Sequence, residues 1–68
     1  MRTIQDQIKS LAVRYHAYMT AKDIADIIIW GEMLWEAQAE CGVELIEQDR
    51  IKDRVLTARI MENRERAA

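Results

Sequence analysis

Eight carboxylates fall between Asp23 and Asp49 with no Lys or Arg among them: Asp23, Asp26, Glu32, Glu36, Glu40, Glu44, Glu47 and Asp49. Oxygen ligands in such number raise the question of a hard cation, since Mg²⁺ is held by one or two protein carboxylates completed by substrate phosphates. The other chemically capable side chains are few. His16 is the only histidine and Cys41 the only cysteine. One of each cannot complete a tetrahedral zinc site within a single chain, and a lone cysteine excludes an intrachain disulfide framework.

Asp23-x-x-Asp26 and Glu44-x-x-Glu47 resemble the paired acidic motifs of helical nucleotide pyrophosphohydrolases. That resemblance implies an acid-dependent, Mg²⁺-binding hydrolase as one alternative reading. The sequence departs from it in supplying no cation between Lys22 and Arg50 to meet nucleotide phosphates. His16 has no Ser, Cys or second His placed to act with it, so it reads as a solvated histidine. Cys41, near a helix C-terminus and among glutamates, lacks the positive surroundings that generate a thiolate and reads as a small apolar residue. No catalytic residue, metal ligand or cofactor is expected.

The same acidic stretch is also strongly apolar, with Ile24, Ile27, Ile28, Ile29, Trp30, Met33, Leu34 and Trp35. Its flanks have the opposite sign. Residues 1–22 carry +3, residues 23–49 carry −8 and residues 50–68 carry +3, which gives the net charge of −2. An acidic, apolar centre between basic arms suits a surface that another chain covers. The expected function is therefore non-enzymatic protein–protein interaction. Its sharpest form is a small acidic regulator or inhibitor docking on a basic, nucleic-acid-handling protein.

The elements that must position these residues are helices. Two glycines and no proline supply too little turn chemistry for an all-β domain. Ile4, Ile8, Leu11, Tyr15 and Tyr18 form one stripe, which predicts a first helix over 3–18 opened by Thr3 and Asp6. Thr20 and Asp23 repeat that start signal and place a second helix over 21–41, about 30 Å long, closed by Gly42 in the left-handed C′ position. A third helix over 46–63 carries the stripe Ile51, Val55 and Ala58, with Leu45, Leu56 and Ile60 away from it, and the tail beyond Asn63 is expected to fray. The chain reads as a single all-α domain, residues 1–68, arranged as a three-helix bundle.

The second helix has more apolar surface than one neighbour needs. Ile24, Ile27, Ile28, Gly31, Leu34 and Trp35 share one side, and Gly31 there allows another helix to approach closely. Ile29, Trp30, Met33 and Ala37 gather on a second side and are the expected apolar partner-binding residues. Glu32, Glu36, Glu40 and Glu44, spaced by four, are the expected acidic partner-binding strip. A 68-residue chain is marginal by itself because it buries only about 60% of its unfolded surface. Completion of the bundle by a second copy, as a helical homodimer, is the corresponding expectation.

Thr20-Ala-Lys-Asp-Ile-Ala-Asp-Ile-Ile28 resembles the first helix of helix-turn-helix DNA-binding domains. That implies a second alternative, a small DNA-binding regulator using the basic third helix with Arg50, Lys52, Arg54, Arg59, Arg64 and Arg66. The departure is that Glu32, Glu36 and Glu40 stand where a recognition helix needs cations, which disfavours direct nucleic-acid binding. No signal-peptide pattern is expected, since Asp6, Lys9 and Arg14 interrupt any apolar run. The longest such run, Ile27 to Trp30, is far short of the ~20 residues a membrane span requires. A cytoplasmic location is the matching expectation.

Overall fold

The computed structural model describes residues 3–67. They form three helices and no strand: α1 (Ile4–Thr20), α2 (Ile24–Cys41) and α3 (Gln48–Ala67). α1 starts at Thr3, whose Oγ1 accepts the Asp6 N–H at 3.2 Å, the capping arrangement expected from Thr3-x-x-Asp6. α2 ends at Gly42, in the left-handed conformation with φ 66°, and the N–H groups of Gly42 and Val43 both reach Gln38 O. Glycine is required there because a Cβ disfavours that conformation.

The start of α2 differs from the sequence expectation. Thr20 is the last residue of α1, with its hydroxyl donated to His16 O at 2.9 Å, and Asp23 is the cap of α2. Asp23 Oδ1 accepts the Asp26 N–H at 2.9 Å, so α2 begins at Ile24 instead of Ala21. The helix-turn-helix-like segment 20–28 is thereby split between two helices. α2 then continues unbroken through Gly31 to Cys41, without the short turn that such a domain needs. At the other junction the Gln48 N–H donates to Glu44 Oε1 at 2.9 Å, and the third helix starts at Gln48 instead of residue 46. It also extends helically through Ala67, past the expected end at Asn63.

α2 is the central element, and α1 and α3 each pack along it. The core consists of Leu11 and Tyr18 from α1, Ile28, Leu34 and Ala37 from α2, and Ile51, Val55 and Ala58 from α3. A Cβ added at Gly31 would overlap Val55 Cγ2 and would stand 3.5 Å from Tyr18 Cε1. The absent side chain is thus what allows α3 to close on α2. Between α1 and α3, the Arg54 guanidinium lies 4.8 Å from the Tyr18 ring centroid and donates to Tyr18 O and Ala21 O, each at 3.4 Å.

Buried Gln38 ties the α2–α3 connection to the core. Its amide nitrogen donates to Ile46 O at 3.0 Å and to Gln48 Oε1 at 2.7 Å, and its oxygen accepts the Ile46 N–H at 3.0 Å. Gln48 Nε2 donates onward to Trp35 O. These bonds start α3 opposite Trp35 and Gln38, so α3 does not extend along the last turn of α2. The first turns of α1, whose Gln7 O lies 3.9 Å from Cys41 Sγ, are beyond its reach. For that reason the α1 stripe is only half buried. Leu11 and Tyr18 are in the core, whereas Ile4 and Ile8 are 75% and 58% exposed. The described residues extend 46 × 20 × 18 Å.

Candidate interaction surface

α1 and α2 run antiparallel in a register set by Gln7 beside Cys41 and by Arg14, whose Nη1 donates to Met33 O at 2.9 Å. On their outer side the two helices leave an open groove of about 330 Å³, lined by Lys9, Ser10, Val13, Arg14, Trp30 and Met33. Trp30 packs partly against the core and presents its remaining surface to the groove. Ile29, 50% exposed, continues the apolar surface along α2 because it lies one turn before Met33. Val13, 62% exposed, continues it on α1.

Of the four apolar residues expected to meet a partner, Ile29, Trp30 and Met33 thus lie together at or beside the groove. Ala37 does not. It is 3% exposed and part of the core, so the sequence-based assignment of Ala37 to the partner face is corrected. Its position on α2 is turned far enough toward α1 to be covered. Val13 was missing from the expected set because it lies about 200° around α1 from Leu11, off the stripe that defined the helix. A valine one turn after Lys9 on an otherwise polar side was the available signal.

The acidic strip is also divided. Glu32 is in an ion pair with Arg59 across the α2–α3 junction, and Glu44 is bonded to the Gln48 N–H at the start of α3. Glu44 stays exposed while it accepts that bond, whereas Glu32 is partly covered and shares its charge with Arg59. Glu36 and Glu40 remain exposed and make no ion pair among the described residues. They follow Ile29 and Met33 at i+7 and i+11, so one stripe of α2 is apolar in its first half and acidic in its second.

The acid pairs considered for Mg²⁺ serve the helix ends. Asp23 holds the Asp26 N–H, Glu44 holds the Gln48 N–H, and Glu47 lies 3.9 Å from Arg50. Among the described residues no group of three or more His, Cys, Asp or Glu side chains comes together as a metal site. Most cations of α3 are similarly engaged. Arg50 faces Glu47, Arg59 faces Glu32 and Arg66 faces Glu62, while Lys52 Nζ lies 5.5 Å from the Trp35 ring centroid and Arg54 is folded onto Tyr18. Only Arg64 is left without such a contact among the described α3 cations.

A second groove, of about 340 Å³, lies between the start of α2 and the second half of α3, with Ile24, Ile27, Ala58 and Met61 as its apolar lining. It has no aromatic anchor, and its rim mixes Lys22 and Arg54 with Asp53. No described helix is long and apolar enough to cross a membrane. Comparison of the chain with protein-family models, curated proteins and solved structures gives no match in any of the three.

Proposed function

We propose that this protein is a non-enzymatic protein–protein interaction module whose docking surface is the α1–α2 groove. The observation that carries this reading is the partly exposed Trp30, flanked by Val13, Ile29 and Met33 on two helices already fixed to one another. Tryptophan and methionine are enriched in protein interfaces, and a tryptophan seated in a pocket is a frequent energetic centre of binding. A standard interface covers about 800 Å² per partner, roughly a sixth of the 5144 Å² accessible here. The bundle is completed when another chain covers this side of α1 and α2.

Glu36 and Glu40 at one margin select an occupant that brings cations to that edge. Glu32 pairs with Arg59, which leaves Glu36, Glu40 and Glu44 as the exposed part of the acidic strip. Lys52 and Arg54 lie over Trp35 and Tyr18, while Arg50, Arg59 and Arg66 remain half or more exposed, so the DNA-binding alternative keeps part of its basic surface.

The reading is tested by placing one charge in the groove. Val13→Asp and Ile29→Asp alter exposed positions, and circular dichroism should show both variants folded like the unaltered chain. Each should lose the chain that the unaltered protein retains, whether in extract of the cells that make it or as self-association. Leu56→Asp, on the far side of α3, should retain it. Equal retention by all three variants would contradict the reading.

A further inference from the structure

We infer that the occupant of the groove is a second copy of this protein, related by a two-fold axis parallel to α1 and α2, which sets Lys9 of each copy against Glu36 and Glu40 of the other. The inference rests on the docking reading above and names its partner. Charge of opposite sign is divided between the two margins of the groove. The α1 margin carries Lys9, exposed and without an ion pair among the described residues. The α2 margin carries Glu36 and Glu40, also exposed and also without ion pairs among the described residues.

The antiparallel register puts these groups at one level. Gln7 lies beside Cys41 and Arg14 beside Met33, so Lys9 lies level with the turn that contains Glu40. A two-fold axis in the plane of the interface and parallel to the helices exchanges the α1 and α2 margins while keeping their level. It therefore lays the cation of each copy over the carboxylates of the other, twice per dimer. A two-fold axis in that plane but perpendicular to the helices would lay α1 on α1 and α2 on α2 and reverse their levels. Centred on the apolar part of the groove, it would carry Lys9 away from Glu36 and Glu40 of the other copy and leave all three unpaired.

The apolar residues obey the same operator. Val13 of one copy comes to the level of Met33 of the other, and the two Trp30 side chains lie toward the middle of the interface. The surface is thus self-complementary in both charge and polarity, as an isologous interface requires. Other basic proteins could satisfy Glu36 and Glu40, but a second copy satisfies Lys9 by the same contact.

Sedimentation equilibrium of the full chain at physiological salt, from about 10 µM to about 1 mM, reads the dimer and its dissociation constant. The unaltered protein should dimerise. Lys9→Glu, and separately Glu36→Lys/Glu40→Lys, should each raise the dissociation constant by about tenfold or more, because each sets like charges together at both symmetry-related places. Combining all three substitutions should restore association toward the original value. A chain that remains monomeric at the highest concentration would overturn the inference. So would a dimer indifferent to the single-margin variants, or a combined variant with no recovery. Melting temperatures of the variants, which alter exposed side chains only, separate loss of association from loss of folding. A monomeric chain whose groove variants still lose a different protein leaves the docking reading standing and removes only the second copy.

Discussion

Gly31 and Gln38 determine how α3 sits on α2. At Gly31 two effects oppose one another. Alanine would improve helix propensity by about 1 kcal/mol, but its Cβ would meet Val55 Cγ2 in a closed core, where overpacking costs about 1–3 kcal/mol. Gly31→Ala should therefore lower the urea-unfolding free energy in spite of its better propensity, and Val55→Ala in the same chain should cost less than it does alone. Additive effects would mean that the two helices are further apart at this level. Gln38→Leu should cost about 1–3 kcal/mol, since it leaves the Ile46 N–H and C=O without their partner in a part-buried connection. Gly31 could be recognised in the sequence because a glycine within an apolar helical face has few other uses. Gln38 could not, because its function depends on a connection that folds back over eight residues.

At the scale of the elements, local chemistry decides the helix ends and tertiary reach decides what is covered. Asp23→Ala should destabilise the chain by about 1 kcal/mol through loss of the α2 cap. Asp26→Asn should change much less, because Asp26 contributes its backbone N–H to that bond. Thermal or urea unfolding of the two variants with and without Mg²⁺ separates a capping pair, whose effects ignore the ion, from a pair of metal-ligating carboxylates, for which both side chains would matter once the ion is present. Three helices, the Thr3 cap, the Gly42 terminus and the stripe Ile51–Val55–Ala58 were all legible, since each depends on residues a few positions apart. The start of α2 was not, because Thr20 and Asp23 carry equivalent signals and the structure uses the first to close α1. Ile4 and Ile8 share the stripe of Leu11 and Tyr18 yet stay exposed for a related reason. Their periodicity is that of a buried stripe, but α3 begins too far along α2 to cover them.

For the whole molecule, the main consequence is a central helix covered on two sides and open on a third. Ile29, Trp30 and Met33 were legible as a second apolar side of α2, whereas Val13 and Lys9 were not, because they belong to the same groove only once α1 has docked. Trp30→Ala should both lower the melting temperature, through lost packing on the core, and weaken association through the groove. Val13→Asp should weaken association alone. That separation reflects the different burial of the two side chains.

The most direct measurement places a photoactivatable cross-linking side chain at position 13 or 29 and, as a control, at position 56, in the cells that make the protein. A covalent adduct with another polypeptide is expected from 13 and 29, and none from 56. Adducts from position 56 alone, or no adduct from either groove position, would contradict the claim that this groove is where another chain docks.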